Sequence, residues 1–185
     1  MSSKKLPKKT YVFIDVSNII YGAKKTGNWE VNYKKLYVYL TSRYKASKIF
    51  FYAGVKSLTQ NKFIKLGEYG YILKLKKLRI YKRKPLRINI VCPKCGCSFE
   101  KKIYRSPEQK ANCDVDLTFD AMRYASDYSK MILMSGDGDF YPLVDFLIKK
   151  SREVRVIGEA NSTATSIKKI IGENFEIKSR YEQNE

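Results

Sequence analysis

Short apolar runs and longer amphipathic stretches alternate along most of the chain. Four short runs dominated by apolar side chains predict strands: residues 11–15, 48–52, 130–134 and 154–157. Apolar positions at helical spacing predict helices between them: residues 32–44, 59–68, 114–128, 143–149, and a last helix that Ser162 or Thr163 caps and that ends at Ile171. With residues 175–177 as a closing strand, the alternation predicts an α/β fold, a three-layer α/β/α sandwich around a central, mostly parallel sheet.

Three stretches have patterns of their own. Residues 71–81 alternate apolar and basic side chains, which indicates a strand with one face in solvent. In residues 86–105, two runs of strand-forming residues flank the sequence Cys-Pro-Lys-Cys-Gly-Cys, which predicts a β-hairpin inserted into the fold. The predicted helix over residues 114–128 has five apolar side chains available for packing: Val115, Leu117, Phe119, Met122 and Ala125.

Length and hydropathy limit the domain organisation. A chain of 185 residues is long enough for one α/β domain and too short for two comfortable ones. We therefore expect one domain over residues 11–180, behind a flexible lysine-rich lead of residues 1–10. No apolar run approaches the roughly 20 residues that cross a bilayer, and no secretory hydrophobic region is seen. The protein is expected in the cytoplasm, without a membrane partner.

The charge balance indicates a polyanionic partner. Thirty-seven Lys and Arg against eighteen Asp and Glu give a formal charge of +19, which attracts nucleic acid. A general lysine bias that keeps the protein soluble explains the charge equally well, but it does not explain the placement. Eight basic residues are interleaved with tyrosines in one stretch, where they suit contacts to phosphates and unpaired bases: Lys74, Lys76, Lys77, Arg79, Lys82, Arg83, Lys84 and Arg87.

Histidine is absent, which excludes an imidazole base, a Ser-His-Asp triad and a histidine-ligated metal. The four cysteines are Cys92, Cys95, Cys97 and Cys113. The sequence Cys92-Pro-Lys-Cys95-Gly has the form of a zinc knuckle, and Cys97 and Cys113 would complete four thiolate ligands. Three alternatives stay open at this point: a structural zinc within one chain, free thiols, and a site shared between two chains.

Carboxylates follow two predicted strands at the end where α/β sheets bind their ligands. Asp15 ends the first strand, and Asp137 and Asp139 follow the strand of residues 130–134 in a loop of sequence Ser-Gly-Asp-Gly-Asp. A third acidic group opens a predicted helix and continues on the same side one turn later: Asp114, Asp116 and Asp120.

Each acidic group has a plain structural explanation as a helix cap, a turn or an ion-paired surface charge. Together they are harder to explain, because clustered carboxylates repel one another and need a cation to stay ionised. In a chain without histidine, a hard divalent ion with oxygen ligands meets that need. Magnesium or manganese is the expected cofactor.

Four segments carry a familiar pattern: Phe-Ile-Asp-Val-Ser-Asn (13–18), Cys-Asp-Val-Asp-Leu-Thr-Phe-Asp (113–120), Leu-Met-Ser-Gly-Asp-Gly-Asp-Phe (133–140) with Pro-Leu-Val (142–144), and Val-Arg-Val-Ile-Gly (154–158). Over nearly the whole chain, their order and spacing resemble the NYN domain, in the LabA-like branch of the PIN-like nuclease superfamily. The resemblance implies a PIN-like, Rossmann-related sheet, an acidic pocket for magnesium or manganese, and an endoribonuclease that cleaves phosphodiester bonds.

By position, the resemblance implies that four aspartates are the catalytic, metal-binding acids: Asp15, Asp114, Asp137 and Asp139. The metal would lower the pKa of a bound water, which attacks a backbone phosphate in line. Asn18 would orient a phosphate, a water or the first of these acids, while Ser17 and Ser135 would donate hydrogen bonds within the pocket. Asp116 and Asp120 are secondary candidates.

Two other functions fit the same sequence. A module that binds RNA through its basic surface without cleaving it would keep the fold, while its acids serve structure only. A phosphatase of small phosphate esters ranks lower, because no second aspartate stands two residues after Asp15. The residues do not distinguish RNA from DNA, and the tyrosines and the hairpin are compatible with a homodimer.

Overall fold

Six strands form the central sheet. The structure, a computed structural model, describes residues 8–25, 27, 30–57 and 61–177. Numbered with all others in chain order, the strands of this sheet are β1 (Thr10–Asp15), β2 (Ala46–Val55), β3 (Ile72–Lys77), β8 (Lys130–Met134), β9 (Glu153–Gly158) and β10 (Phe175–Ile177). They lie in the order β10-β9-β8-β1-β2-β3, and every neighbouring pair is parallel. The predicted parallel sheet is confirmed.

Helices cover both faces of this sheet. Within the described ranges they are α1 (Val16–Lys25), α2 (Tyr33–Tyr44), α3 (Asn61–Glu68), α4 (Cys113–Arg123), α5 (Tyr141–Lys149) and α6 (Thr165–Ile171). Side chains of a strand alternate between the two faces, so Tyr11 and Phe13 enter one core cluster and Val12 and Ile14 enter the other. Helices α4, α5 and α6 pack on the first cluster, and α1, α2 and α3 pack on the second. The three-layer arrangement is therefore confirmed.

Helix α1 is not predicted by the apolar pattern. It contains Asn18 and Gly22, residue types that disfavour the interior of a helix. Its side chains Val16, Ile19 and Ala23 are nevertheless buried. Packing against the sheet therefore stabilises a helix whose intrinsic propensity is low.

Helix α4 is shorter than predicted and its apolar side chains are not all buried. It ends at Arg123, five residues before the predicted end. Leu117 is fully buried, whereas Val115, Phe119 and Met122 are 68%, 61% and 47% exposed. Three of the five side chains predicted to be available for packing are therefore exposed, because the core reaches only the face of α4 that carries Leu117 and Ala121.

Four strands form an antiparallel arm that leaves the sheet after β3: β4 (Arg79–Tyr81), β5 (Leu86–Val91), β6 (Ser98–Ile103) and β7 (Glu108–Lys110). The pair β5–β6 is the predicted cysteine-containing hairpin, which is confirmed. The predicted strand over residues 71–81 is divided at Leu78, and β4 pairs instead with β7, which the sequence pattern does not predict. The insertion is therefore longer than residues 86–105.

The lysine-rich lead is tied to the sheet from Lys9 onward. The carbonyl oxygen of Lys9 accepts hydrogen bonds from the N–H groups of Ser129 (3.1 Å) and Lys130 (3.2 Å), and Thr10 begins β1. The predicted flexible segment is thus too long at its end, and residues 1–7 lie outside the described residues. In the ranges described, no helix has the length and apolar character that a membrane span requires.

The start of α6 also differs from the prediction. Its N-cap is Ala164, which provides no side-chain hydrogen bond, so capping by Ser162 or Thr163 is wrong. The Thr163 hydroxyl instead donates to the carbonyl oxygen of Glu159 at 2.6 Å. Thr163 therefore fixes the turn that follows β9 rather than the first turn of the helix.

That turn packs closely against the loop after β8. The N–H of Ala164 donates to the carbonyl oxygen of Gly136 at 2.9 Å. A Cβ on Gly136 would lie 2.6 Å from the Oγ1 of Thr163 and 2.9 Å from its Cα. Only glycine allows this approach, and the approach sets the path of the loop that carries Asp137.

Gly136→Ala should lower the free energy of unfolding by about 1–3 kcal/mol, the usual cost of overpacking, because the Thr163 backbone cannot yield without moving the loop. Gly67→Ala is the control: its Cβ would meet only the Cδ1 of Leu73 at 3.8 Å, and alanine is favoured within a helix by up to about 1 kcal/mol. Urea unfolding of the wild type and of both variants measures these changes in the free energy of unfolding. Wild-type stability in Gly136→Ala would contradict the close approach.

Candidate metal centre

The carboxyl ends of β1 and β8 form one wall of a pocket of about 590 Å³. Asp15 is the last residue of β1, Asp137 and Asp139 lie in the loop after β8, and Asp114 is the second residue of α4. All four side chains line this pocket, together with Ser17 and Asn18. We call it the aspartate pocket.

Hydrogen bonds fix the orientation of Asp15 from two sides. Its Oδ1 accepts from the backbone N–H of Asn18 (3.2 Å), and its Oδ2 accepts from the hydroxyl of Ser135 (3.0 Å). The same hydroxyl accepts from the N–H of Asp137 (3.2 Å). The Asn18 side chain accepts from the N–H of Gly136 (2.8 Å) and so ties α1 to the loop after β8. Asn18 thus contacts Asp15 through its backbone, while its amide oxygen positions the neighbouring loop.

Burial and neighbouring negative charges make the Asp15 carboxyl a weaker acid. The pKa of the Asp15 carboxyl is raised to about 6, mainly by burial and further by the charges of Asp114 and Asp137, against the hydrogen bonds from Asn18 and Ser135. Burial and the charges of Asp137 and Asp139 also raise the pKa of Asp114. The four aspartates therefore repel one another across the pocket.

The same four aspartates form no ion pair with any described Lys or Arg. Seven other acids in the described chain do: Glu100, Glu108, Asp116, Asp120, Asp145, Glu153 and Glu176. Five further described acids also form no ion pair with a described Lys or Arg: Glu30, Glu68, Asp127, Glu159 and Glu173. What sets the four aspartates apart is that they are unpaired and share one pocket, in a chain with a formal charge of +19.

The four carboxylates surround the pocket without closing on one point. Across the described residues, no three of their oxygen atoms, one from each of three aspartates, lie within 4.8 Å of one another. The backbone N–H of Asp139 donates to the Oδ1 of Asp137 (3.0 Å), which holds that carboxylate in the turn. The structure thus brings the acids into one pocket and leaves space between them.

Asp116 and Asp120 lie outside the lining of this pocket. Asp116 forms an ion pair with Lys76 at 2.8 Å. Asp120 is buried and is contacted by Lys74, by Arg123 and by the hydroxyl of Tyr52, each at 3.0 Å. These contacts neutralise both carboxylates and attach α4 to the sheet.

The basic stretch is partly used in such ion pairs. Four of its eight members contact acids: Lys74, Lys76, Arg83 and Arg87. Ion pairs are not seen in the described chain for the other four: Lys77, Arg79, Lys82 and Lys84. The cationic surface available to a polyanion is therefore smaller than the sequence predicts.

Cys113 lies apart from the other three cysteines. It is buried in the core at the start of α4, and burial raises the pKa of its thiol to about 11. Among the described residues, the Sγ atoms that lie within 4.8 Å of one another are those of Cys92, Cys95 and Cys97. The four-thiolate arrangement of the sequence prediction is wrong, because hydrophobic packing holds Cys113 elsewhere.

Residues that the sequence did not single out also line the aspartate pocket. Strand β7 contributes Glu108, Gln109 and Lys110, and Tyr21 contributes from α1. Lys110 forms an ion pair with Glu108 at 2.9 Å. The three β7 residues reach the pocket because β7 pairs with β4, and a strand of three polar residues gives no apolar signal in the sequence.

Comparison with known proteins gives the family. The NYN domain family model matches residues 9–173. The chain belongs to the NYN domain family. This is a PIN-like, nuclease-type family, which agrees with the resemblance stated above.

Two individual proteins are similar to this NYN chain. The low amplitude and bright protein LabA of Synechococcus elongatus is 22% identical over 166 residues, which cover 88% of this chain and 80% of LabA. A crystal structure of a protein of unknown function from Vibrio parahaemolyticus superposes with a TM-score of 0.69 at 23% identity, over 98% of each chain. The similarity to the Vibrio parahaemolyticus structure shows only that the two chains share a fold.

In the protein without divalent metal, the contribution of Asp15 to the free energy of unfolding should fall as the pH rises from about 4 to about 6. Asp15 has a pKa of 3.8 when unperturbed and about 6 when folded, so in this window the folded state binds more protons than the unfolded state. The stabilisation is complete below pH 4 and is lost as the pH rises through 6, with an upper limit of about 3 kcal/mol.

Urea unfolding of wild type and Asp15→Asn across this range measures the effect, in buffer with a chelator. The difference between the two proteins isolates Asp15 from groups such as Glu176, whose pKa is lowered. Asp145→Asn, which removes a surface partner of Lys149, should follow the wild-type profile. A difference between wild type and Asp15→Asn that is constant with pH would contradict the raised pKa.

Proposed function

We propose that this NYN protein is a metal-dependent nuclease that hydrolyses phosphodiester bonds in RNA, with Asp15, Asp114, Asp137 and Asp139 as its metal-binding acids. The proposal is carried by one observation: these acids share a pocket and have no described basic partner in a chain with a charge of +19. Where lysine and arginine are this abundant, an unpaired acidic set indicates a cation that is not a side chain.

Magnesium or manganese fits this donor set. The donors are carboxylates, the oxygen ligands that hard divalent ions prefer. Magnesium gives up its waters reluctantly and is commonly held by one or two carboxylates together with waters and substrate phosphate. The spacing of the four aspartates, of which no three come within 4.8 Å, is compatible with such a shared coordination shell.

A divalent ion bound there would lower the pKa of a coordinated water and supply hydroxide for in-line attack on the phosphodiester. The contribution of the chain would be to orient the acids. Ser135 and the backbone of Asn18 hold the carboxylate of Asp15, and the Asn18 side chain holds Gly136 and thereby the loop that carries Asp137. A side-chain nucleophile is not needed.

A surface beside the pocket supports an unpaired nucleic acid as substrate. Val115, Phe119 and Met122 stand three and four residues apart, so they share one face of α4, and all three are exposed. We call them the α4 shelf. They line a second cavity of about 590 Å³ that shares Asp114 and Asp139 with the aspartate pocket.

The α4 shelf suits a base that is not held in a duplex. Aromatic and apolar side chains accept unpaired bases by stacking, whatever the base identity. The guanidinium carbon of Arg123 lies 5.6 Å from the centre of the Phe119 ring, which places positive charge at the same surface. A strand with one base on the shelf would therefore have its backbone beside the acids.

The alternative is a module that binds RNA without cleaving it. The open spacing of the four carboxylates favours this alternative, because a preformed metal site usually brings its ligand atoms closer together. The two functions share the cationic surface and the shelf, so only a cleavage assay separates them.

Purified protein with manganese or magnesium should cleave labelled single-stranded RNA, and Asp15→Asn should abolish cleavage. Loss of a group that only supports a metal ligand costs roughly 10- to 100-fold, and loss of Asp15 should exceed this because it removes a proposed ligand. Asp145→Asn, a surface carboxylate paired with Lys149 at 2.7 Å, should keep the wild-type rate. RNA bound by the wild type and left intact in every metal would support the binding module.

Phe119→Ala should weaken the binding of a short single-stranded RNA, because stacking on an aromatic ring contributes about 1–3 kcal/mol per base. Fluorescence anisotropy in the Asp15→Asn background measures binding without cleavage. Phe146→Ala is the matched control, since Phe146 is also exposed and has Lys150 at 5.7 Å from its ring. Equal losses in both variants, or a change in oligomeric state in Phe119→Ala alone, would contradict stacking on the shelf.

A further inference from the structure

Three cysteine sulfurs converge at the tip of the arm. The Sγ atoms of Cys92, Cys95 and Cys97 all lie within 4.8 Å of one another. Ligands of a tetrahedral zinc at the usual Zn–S distance of about 2.3 Å stand about 3.8 Å apart. The three thiols are therefore close enough to share one ion with only small side-chain adjustments.

The backbone of the tip holds this arrangement by itself. The N–H of Cys92 donates to the carbonyl oxygen of Cys97 (2.8 Å), and the N–H of Gly96 donates to the carbonyl oxygen of Cys92 (2.9 Å). Gly96 has a φ of +72°, the left-handed conformation that glycine adopts without strain. The turn therefore presents its sulfurs on one side before any ion arrives, which lowers the entropy cost of binding.

The three sulfurs are available to a ligand. Cys95 and Cys97 are exposed and Cys92 is half-buried. The Sγ atoms of Cys95 and Cys97 are 2.9 Å apart, well beyond the roughly 2.05 Å of a disulfide bond. All three cysteines are free thiols in this structure.

We propose that Cys92, Cys95 and Cys97 bind one thiophilic divalent ion of the zinc class per chain, with three thiolates as its protein ligands. The described residues provide no fourth cysteine, aspartate or glutamate in this group, and the chain contains no histidine. Because the tip is open to solvent, a water or another small ligand takes the fourth position. The site is independent of the aspartate pocket and of its proposed chemistry.

The ion would join the two strands of the hairpin at their free end. Cys92 directly follows β5 and Cys97 directly precedes β6. A hairpin of two strands has little stability in water, and the side chains of β6 are exposed along its whole length. Metal binding at the tip adds to the folding free energy of such an element.

Cobalt(II) titration of the reduced, chelator-treated full chain tests the proposal. Thiolate-to-cobalt charge-transfer absorption should rise to saturation at one equivalent and disappear when zinc is added. Cobalt at the aspartate pocket gives no such band, since that absorption requires sulfur ligands. Cys95→Ser and Cys97→Ser should each lose the saturable band, while Cys113→Ala should keep it at one equivalent.

Alkylation mapped by mass spectrometry provides a readout that does not depend on the folding of Cys113→Ala. In the wild type, zinc should protect Cys92, Cys95 and Cys97 from alkylation and leave the slow reaction of buried Cys113 unchanged. The proposal is overturned by an absent charge-transfer band, by protection of Cys113, or by loss of the band in a folded Cys113→Ala. Saturation at half an equivalent with a dimer in sedimentation would also overturn it, in favour of an ion shared by two chains.

Discussion

Asp15 is a carboxylate that the fold buries beside other carboxylates, and it forms no ion pair with any described Lys or Arg. Two hydrogen bonds, from Ser135 and from the backbone of Asn18, hold it in place, yet burial and the charges of Asp114 and Asp137 keep its pKa near 6. The electrostatic cost of that arrangement is borne by the packing of the rest of the fold. The sheet and its two core clusters hold β1 and β8 side by side and so fix the acids that follow them.

The order of the strands explains why the acids gather at this place. From β1 the chain proceeds outward to β2 and β3, and then returns to form β8 on the other side of β1. The connections after β1 and β8 diverge at such a reversal, which opens a crevice at the carboxyl ends of the two strands. Stacking of Phe13 on Phe50, with ring centres 5.0 Å apart, helps to fix β1 between its neighbours.

The central sheet was predictable because its strands are short apolar runs whose burial leaves a clear signal. Strand ends fixed the positions of Asp15 and Asp137, so their convergence followed from the general geometry of parallel sheets. Helix α1 gave no comparable signal, because Asn18 and Gly22 interrupt its apolar face and are explained only by contacts made after folding. Asn18 binds the Gly136 N–H, a group that is 118 residues away in sequence.

The remaining errors came from contacts between distant segments. The pairing of β7 with β4 rests on backbone hydrogen bonds between polar stretches, which leave no hydrophobic period to detect. The count of four cysteines in a chain without histidine likewise grouped Cys113 with the other cysteines, whereas core packing beside Leu117 holds it away from them. Charge counting overestimated the free cationic surface, because Lys74 and Lys76 are neutralised by acids on α4.

The arm is built from two ladders in series, and this has a mechanical consequence. The inner ladder of β4 and β7 borders the aspartate pocket through Lys110, while the outer ladder of β5 and β6 ends at the cysteines. Residues 82–85 and 104–107 between them form no strand, and each segment includes a proline, which cannot donate a backbone hydrogen bond. Side chains cross this junction instead: Arg83 forms an ion pair with Glu108 at 2.8 Å, and Arg105 donates a hydrogen bond to the carbonyl oxygen of Lys84 at 3.4 Å. A movement of the outer ladder would therefore reach the entrance to the acids through Arg83, whose partner Glu108 lines the pocket.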